Sequence, residues 1–457
     1  MQVDYTESLN KTACIIAPNL GMGFGRGGGS KVVLAMSKAL VADNWHVDIL
    51  SFYSLEKAAL KKIYEVNEKI LDKISLYSVK KYKHVSSGLI KLVDASLSVL
   101  PVDKIGMFLS SIMLSKIFQQ RKSRCNLVIF NDDPFHTLLR PAKQEILINR
   151  EETKVFVYYH FPYVARILYG AKEKRPYDIW LKKSLERLME YLLLIYQLAP
   201  YKTLELVDCI FANSTVTARF LRLIVSSFLS KRVDIKILYP PVTTYFSYLV
   251  KNKKNTHIHR KATLKKLISI KEQQHRFYIV SIGSFTPHKE HEIILYALKK
   301  IKHKNKIRVF LIGFAADYKY ENMLRKIIKK ENLEKNVVIL KNIPKVHVWH
   351  ILEKAHVLIH PAQFEHFGIA VVEGMSAGLV PIVRIGEKSG PWIDILERGK
   401  FGFGFRDSEE LANILEELYN DDEMRIDFSE KAFWRSFNFD EENFIRNFLE
   451  ITRYYFQ

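Results

Sequence analysis

Short, nearly continuous apolar runs alternate with longer amphipathic segments along the first half of the chain. The runs are rich in β-branched residues and lack the strict alternation of a strand that is exposed on one face. Such runs are typical of parallel strands that are buried on both faces of a sheet. They occupy 12–18, 46–52, 126–132, 154–162, 207–214 and 235–242.

The second half of the chain repeats this alternation. Helical segments again separate the apolar runs, which predicts a second set of strand-helix units. Two such sets predict an α/β protein with two Rossmann-like, doubly wound domains. The runs of the second half occupy 277–285, 308–314, 336–343, 356–362 and 380–386.

A strongly basic interval separates the two sets. Residues 243–276 contain nine Lys or Arg but one acid, Glu272, and this composition predicts a solvated linker or surface excursion. The predicted division is therefore an N-terminal domain over 1–242, this basic linker, and a C-terminal domain over 277–430. The last segment, 431–457, carries aromatic residues at helical spacing and predicts a packed helix.

Charge is the feature of the composition that bears most on function. The 457 residues include 70 Lys and Arg against 49 Asp and Glu, a formal net charge of +21. Such a field favours a polyanion, an anionic membrane surface or a phosphate-bearing substrate as partner. A generally basic proteome would give the same balance. The chain shows no interleaving of basic and aromatic residues of the RNA-binding type, so no nucleic-acid partner is expected.

The cysteines and the apolar stretches bear on the compartment. Cys14, Cys125 and Cys209 are widely spaced and form no metal or redox motif, so we expect no disulfide framework and a reducing compartment. The polar N-terminus lacks the pattern of a secretory signal. No run reaches the roughly 18 apolar residues of a spanning helix. These features predict a soluble or peripheral protein.

One apolar region allows two interpretations. Residues 86–118 are apolar, are broken by Pro101 and are dotted with lysines. They could form core helices of the N-terminal domain, or an amphipathic element in the bilayer interface. Residues 181–199 are a second candidate for the interfacial role.

The most specific chemical signal is a pair of glutamates in 360–383. Glu365 lies in a short loop after a strand, and Glu373 follows with seven residues between them, in a helix that is apolar on nearly every side. A carboxylate in such a helix is costly unless it is paired. We therefore expect Glu373 to accept hydrogen bonds from ligand hydroxyls rather than to lie in solvent.

The start of the same helix predicts a phosphate site. Main-chain amides at Phe367, Gly368 and Ile369 would face an anion with the positive end of the helix dipole, and Gly368 lets the backbone approach a ligand. Hydroxyl acceptors and a phosphate cradle in one segment suit a nucleoside diphosphate sugar.

Three further features are candidates for the same chemistry. The run GFGRGGGS at 23–30 follows the first strand and includes Gly28 and Gly29. It is either a phosphate-binding turn or only a tight strand-to-helix turn, and it lacks the acid of a nicotinamide site. His160 lies at a strand end and is either functional or structural. Lys289, after Gly283 in a strand-to-helix loop, is a candidate phosphate ligand.

These motifs resemble the retaining GT-B glycosyltransferases of family 4. The 360–383 segment is similar to their Glu-x7-Glu motif. Its sequence resembles that of the α-1,2-mannosyltransferases that extend a dolichol-linked oligosaccharide. Further matches are YYHFPY at 158–163, SIGSFTPHKEH at 281–291 and GPWIDIL at 390–396. The resemblance implies two domains with a cleft between them and a C-terminal crossover helix that returns from 431–457 to the N-terminal domain. It also implies that the C-terminal domain binds the donor.

The resemblance implies a role for each candidate residue. Glu365 would contact the donor sugar, Glu373 would hold the ribose, and Lys289 would bind the diphosphate and help catalysis. His160 would lie at the reaction centre. The donor-binding set it implies is Gly28, Gly29, Gly283, Lys289, Phe367, Gly368, Ile369 and Glu373.

The chain departs from the family pattern in its phosphate-binding loop. Relatives carry an arginine at the position of Ser284 or Thr286, and neither residue here is basic. Arg26 and Arg384 are candidate substitutes. No Asp-x-Asp triplet occurs, so no metal is expected, and Asp132-Asp133 is interpreted as a strand-end cap.

The predicted function is retaining transfer of a hexose, most simply mannose from GDP-mannose, to a glycan linked to a polyprenyl or dolichyl diphosphate. The predicted location is peripheral, on the cytoplasmic side of a membrane. A UDP-sugar transferase acting on another lipid or polysaccharide acceptor is the alternative enzyme. A basic scaffold or nucleic-acid-binding protein is the alternative of another class.

Overall fold

The structure, a computed structural model, groups the chain into two compact units. The first unit lies within Met1–Asn213, Thr217–Leu238 and Phe444–Gln457, and the second comprises Ser214–Val216 and Tyr239–Asn443. The residues that the structure describes are 11–18, 20, 28–52, 57, 60, 68–78, 125–131, 151–160, 204–229, 232–253, 259–314 and 317–457.

The described part of the first unit contains a parallel sheet of seven strands in the order β3-β2-β1-β4-β5-β6-β7. Its order reverses between β1 and β4, which is the Rossmann switch point. The strands are β1 Thr12–Ile16, β2 His46–Ser51, β3 Ile74–Ser78, β4 Leu127–Asn131, β5 Lys154–Tyr159, β6 Cys209–Ala212 and β7 Asp234–Ile237.

Alternate residues of β1, an interior strand of this sheet, enter two different cores. Cys14 and Ile16 lie in one buried cluster and Ala13 and Ile15 in the other, because successive side chains of a strand point to opposite faces. Both faces are therefore covered, which explains the nearly continuous apolar runs. Helices of this unit are α1 Gly28–Ala42, α2 Glu68–Asp72 and α3 Thr215–Phe228.

The last helix of the chain packs in the first unit. This helix, α12 Glu441–Tyr454, places Phe444 and Phe448 in the core that also contains Ala13. Arg453 of the same helix binds Asp43 at 2.6 Å. Phe444 and Phe448 of the C-terminal segment thus serve packing, as their helical spacing predicts.

The second unit contains a parallel sheet of six strands in the order β10-β9-β8-β11-β12-β13. Its switch point lies between β8 and β11. The strands are β8 Phe277–Ile282, β9 Ile307–Gly313, β10 Val337–Lys341, β11 Val357–His360, β12 Val380–Arg384 and β13 Phe403–Phe405.

Helices cover both faces of this second sheet, as a doubly wound fold requires. Ile279 and Val280, neighbours on β8, lie in different buried clusters. The helices are α4 Tyr245–Lys253, α5 Arg260–Glu272, α6 Glu292–Lys300, α7 Tyr318–Lys330, α8 Lys345–Lys354, α9 Ile369–Ser376, α10 Ser408–Asn420 and α11 Asp422–Ser436.

The expected linker over 243–276 is wrong as a description of its structured residues. They form α4 and α5, both of which belong to the second unit. Leu264 and Leu267 are buried one turn apart, and Lys265 and Lys266 between them are exposed. The lysines are therefore the solvated face of an amphipathic helix of the second unit and not the mark of a linker or surface excursion.

The expectation of no disulfide is also wrong. Cys14 on β1 and Cys125, just before β4, are joined as a disulfide with their Cα atoms 6.0 Å apart. The two strands are neighbours in the sheet, so residues that are 111 positions apart in sequence meet. Cys209 is free and buried, as its apolar run predicts.

The two candidate membrane elements, 86–118 and 181–199, lie outside the described residues. Among the helices that the structure does describe, none combines the length and apolarity needed to cross a bilayer.

Candidate functional site

The candidate site of the second unit lies at the switch point of its sheet. Strands β8 and β11 are neighbours, with Val357 paired to Ile279, and the loops that follow them carry Lys289 and Glu365. Ligands of doubly wound sheets bind outside the carboxyl ends of the strands at this point. The sheet order alone therefore brings the two predicted residues to one place.

Glu365 is the centre of a three-residue polar cluster. Its Oε2 atom accepts a hydrogen bond from the Lys289 ammonium at 2.6 Å and lies 3.1 Å from Nε2 of His360. The side chains of Lys289 and Glu365 are each 18% exposed, and that of His360 is 5% exposed. The cluster is thus mostly, but not wholly, shielded from solvent.

The charge state of Glu365 follows from these partners. Burial by itself would raise the pKa of the carboxyl, but the Lys289 ammonium and the His360 ring outweigh burial. Together they hold the pKa of Glu365 well below the ordinary 4.5. The carboxylate is therefore ionised at neutral pH and can only accept hydrogen bonds.

The main chain holds Glu365 in place. Its carbonyl accepts a hydrogen bond from the amide of Gly390 at 2.7 Å, and it forms an isolated parallel bridge with Ser389. A Cβ atom at residue 390 would collide with the carbonyl of His366. Glycine at 390 is therefore what lets the GPWIDIL segment approach the glutamate loop.

Helix α9 begins directly after this loop. Gly368 is its N-cap with a φ of 94°, in the left-handed region that favours glycine, and a Cβ there would come within 2.7 Å of Pro391. The Phe367 side chain is buried and stacks on Tyr239 at 5.6 Å. Phe367 could therefore bind a donor only through its main chain, and Ile369 starts the helix.

Glu373 is buried in α9, as predicted from its apolar surroundings. It is 5% exposed, and its neighbours Val371, Val372 and Met375 all belong to the core. Its Oε2 atom accepts a hydrogen bond from the Lys345 ammonium at 2.6 Å. The carboxylate thus has a cationic partner that the sequence did not suggest, and its role toward ribose stays a prediction.

Gly283 and His291 shape the loop that carries Lys289. A Cβ at Gly283 would lie 3.6 Å from both the Lys289 side chain and the His291 ring. His291 is 1% exposed, and its ring lies 3.3 Å from the Ser281 hydroxyl and 3.4 Å from the Ser284 carbonyl. Burial lowers the pKa of His291 to about 4, so the ring is neutral and ties the loop to β8.

Hydroxyl groups occupy the two positions at which the family resemblance implies an arginine. Ser284 and Thr286 bind each other through their side-chain oxygens at 3.1 Å. Arg384, one of the suggested substitutes, ends β12 and lies 3.8 Å from Glu290. The other, Arg26, lies outside the described residues. Lys289 is therefore the cation that the described loop itself offers to a diphosphate.

The first unit brings together a second group of predicted residues. His160 follows β5, and its Nε2 lies 3.1 Å from Oδ1 of Asn131 at the end of β4. A Cβ at Gly29 would lie 3.3 Å from the same nitrogen. Gly28 and Gly29 open α1, which follows β1. Gly29 thus faces His160 near the switch point of its own sheet, and the role of the glycine run toward phosphate stays a prediction.

Sequence reasoning missed three polar partners in these groups. His360 ends β11 and binds Glu365, Lys345 binds Glu373, and Asn131 binds His160. His360 and Asn131 each occupy a strand end beside a predicted residue, which is the signal that could have found them. The Asp132-Asp133 pair lies outside the described residues.

Comparison with known proteins agrees with this geometry. Residues 265–434 match the family model of glycosyl transferases group 1. The match spans α5 to α11 and includes Lys289, Glu365 and Glu373. All three residues therefore lie in the part of the chain that is similar to this family.

A curated relative extends the likeness beyond that domain. The chain is 28% identical, over 231 residues, to the GDP-Man:Man(3)GlcNAc(2)-PP-Dol alpha-1,2-mannosyltransferase of Dictyostelium discoideum. The match covers 48% of this chain and 42% of the relative. The chain thus matches less than half the length of this relative.

Solved structures share the fold. Sucrose-phosphate synthase from Thermosynechococcus elongatus is 16% identical and covers 98% of this chain and 99% of its own, with a TM-score of 0.66. HepE from Anabaena, solved with UDP and glucose, is 15% identical, covers 96% of this chain and 99% of its own, and has a TM-score of 0.60. At these identities the likeness establishes the two-domain GT-B fold class alone. Residues 265–434 of this chain are thus similar to the glycosyl transferases group 1 family.

Proposed function

We propose that this protein is a retaining glycosyltransferase that moves mannose from GDP-mannose to a glycan carried on a dolichyl or other polyprenyl diphosphate. The observation that carries the proposal is the desolvated Glu365 carboxylate, kept ionised by Lys289 and His360. A fixed carboxylate that only accepts hydrogen bonds suits the hydroxyls of a sugar. The ammonium beside it suits the diphosphate to which that sugar is attached.

Each part of the donor has a matching group in the second unit. Glu365 would accept from the hexose hydroxyls and Glu373 from the ribose. The main-chain amides at the start of α9, from Phe367 to Ile369, would bind the diphosphate together with Lys289. These groups supply the charge that a metal ion supplies in other transferases, so the proposed site needs no metal and no cofactor.

The proposed chemistry keeps the configuration of the sugar. The bond between the anomeric carbon and the diphosphate oxygen breaks, and the acceptor hydroxyl oxygen bonds to the same face of that carbon. The hydroxyl proton passes to the departing phosphate. Lys289 would stabilise the charge that develops on the leaving group, and His160 would lie near the sugar and the acceptor.

The choice of donor and acceptor draws on the relatives. The Dictyostelium relative is named for GDP-mannose and for a dolichol-linked glycan. The net charge of +21 suits an acceptor diphosphate and an anionic membrane surface. We therefore propose a peripheral enzyme at the cytoplasmic face of a membrane.

The test is incubation of the purified full chain with membranes and a panel of labelled nucleotide sugars. We expect label from GDP-mannose in the lipid extract. We also expect Glu365→Gln to lose about 100-fold or more of this activity, because the neutral amide no longer supplies a charged acceptor. Glu430→Gln, an exposed change in the same unit, is the control and should transfer normally.

The remaining outcomes each change the proposal. Incorporation from UDP-glucose or UDP-N-acetylglucosamine in place of GDP-mannose would make the protein a UDP-sugar transferase. Full transfer by Glu365→Gln would remove the site. Binding to nucleic acid with no response to any nucleotide sugar would favour a basic scaffold instead.

A further inference from the structure

Lys345 occupies an unusual position for a lysine. It is the first residue of α8, after Pro344, which gives no side-chain cap, and the first turn of α8 contains no acidic residue. The amino end of a helix carries positive partial charge, so an ammonium there is unfavourable. A compensating interaction must therefore hold Lys345 in this place.

Glu373 supplies that interaction. The Lys345 ammonium lies 2.6 Å from Oε2 of Glu373, and the carboxylate side chain is 7% exposed while that of Lys345 is 45% exposed. The ion pair is thus asymmetric, with a buried anion and a cation at the surface. Breaking such a pair leaves an uncompensated buried carboxylate, which is the costly case.

An aromatic ring makes a second contact with the lysine. Its ammonium lies 4.9 Å from the ring centre of Trp349, one turn further along α8. Trp349 is 1% exposed and stacks on Tyr248 at 5.4 Å. A lysine stem is ordinarily mobile, and the ion pair and the cation–π contact both favour this position of the ammonium.

The ion pair by itself does not use up the acceptor capacity of Glu373. A carboxylate has about four lone-pair positions, so accepting from one ammonium does not exhaust it. We propose that Lys345 is a positioning residue of the donor site, which holds the Glu373 carboxylate in the orientation that the ribose hydroxyls need. This inference rests on the proposed function, because it takes Glu373 as the ribose acceptor.

The test compares two nucleotides that differ only at the ribose. Binding of GDP and of 2′,3′-dideoxy-GDP to the full chain is measured by calorimetry, and kinetics with GDP-mannose are measured in parallel. For Lys345→Met we expect about tenfold weaker GDP binding and a donor KM raised by about the same factor, with kcat within about twofold. Dideoxy-GDP should bind wild type and Lys345→Met equally. Lys345→Arg should restore most of the GDP affinity.

The chain offers a control pair away from the candidate site. Lys341 lies 3.2 Å from Glu321, a buried glutamate of α7 whose side chain is 2% exposed and which also accepts hydrogen bonds from Arg325. Lys341→Met should change thermal stability without changing GDP affinity. If Lys345→Met also lowers only thermal stability, Lys345 has a structural role alone and the inference is overturned.

Two further outcomes separate this inference from the proposed function. Equal losses of GDP and dideoxy-GDP affinity in Lys345→Met would show that the lysine does not act through the ribose. Wild-type protein that binds no GDP at all would instead refute GDP-mannose as the donor, and this inference would fall with it.

Discussion

The ammonium of Lys289 and the carboxylate of Glu365 lie 2.6 Å apart although 76 positions separate them in sequence. Both belong to loops at the carboxyl ends of adjacent strands, β8 and β11. Each neutralises the other in a mostly desolvated place. A donor that enters with its own diphosphate would therefore find an ammonium and a carboxylate already in position.

Replacement of Lys289 should slow catalysis more than it weakens donor binding. Without the lysine, the α9 amides would still bind the diphosphate of the donor in the ground state. The negative charge on the leaving diphosphate grows in the transition state, where the lysine would act most strongly. For Lys289→Met we expect kcat to fall by about 10²–10³ and the donor KM to change by less than about tenfold. Steady-state kinetics measure both. Lys300→Met, at a more exposed ion pair with Glu409, is the control, and a kcat of Lys289→Met within twofold of wild type would contradict the role.

The pH dependence of transfer should respond to the same pair. Glu365 must be ionised, so activity is lost as pH falls through its pKa, which is well below 4.5 in the wild type. The Lys289 ammonium lowers this pKa and burial raises it, so removal of the ammonium raises the pKa of Glu365. The acidic limb of the kcat profile should therefore move to higher pH in Lys289→Met. An unmoved acidic limb would show that Lys289 does not control the ionisation of Glu365.

The fold was accessible to pattern reasoning because buried parallel strands are apolar throughout. The two strands not predicted explain the limit of this signal. β3 has only its end residues Ile74 and Ser78 buried, and β13 has only three residues. The misread linker shows a second limit, since a count of lysines over 243–276 hides the helical spacing of Leu264 and Leu267.

The candidate site was accessible only in part. Parallel topology places residues that follow neighbouring strands at one edge of the sheet, so Glu365 and Lys289 could be expected to meet. No such rule links the first residue of α8 to the second turn of α9. The pair between Lys345 and Glu373 depends on how these helices pack over the sheet, which sequence spacing does not encode.

A buried histidine should make the second unit sensitive to acid. Nδ1 of His356 accepts from the Tyr278 amide and Nε2 donates to the Lys271 carbonyl, both at 3.1 Å. Burial and the nearby Lys271 and Arg425 charges lower the pKa of His356 from 6.5 to about 3. The unfolded chain then binds the extra proton between these values, so stability falls as pH falls from 6.5 toward 3.

Comparison with His356→Gln isolates this effect. The wild type should lose up to about 1.4 kcal/mol of unfolding free energy per pH unit in that window relative to the variant. Hydrogen exchange of the β8 and β11 amides measures the free energy of opening. His350→Gln, on an exposed part of α8, should keep the wild-type slope. Parallel slopes for wild type and His356→Gln would show that His356 is not the group responsible.

A buried lysine should make the stability of the second unit depend on pH above neutrality. The Lys271 ammonium donates to the carbonyls of Leu352 and Glu353 at 3.2 and 3.0 Å, and burial lowers the pKa of Lys271 from 10.5 to about 7. Between these values the unfolded chain binds more protons, so wild-type stability rises with pH. Lys271→Met lacks the titrating group, so its own stability should not follow this trend. The unfolding free energy of Lys271→Met minus that of wild type should therefore be greatest at pH 7. It should decline toward pH 10.5 by up to about 1.4 kcal/mol per pH unit. Lys266→Met, an exposed change on the same helix, is the control and should show no such trend relative to wild type. A constant difference in stability between Lys271→Met and wild type across this range would mean that Lys271 stays charged in the folded protein.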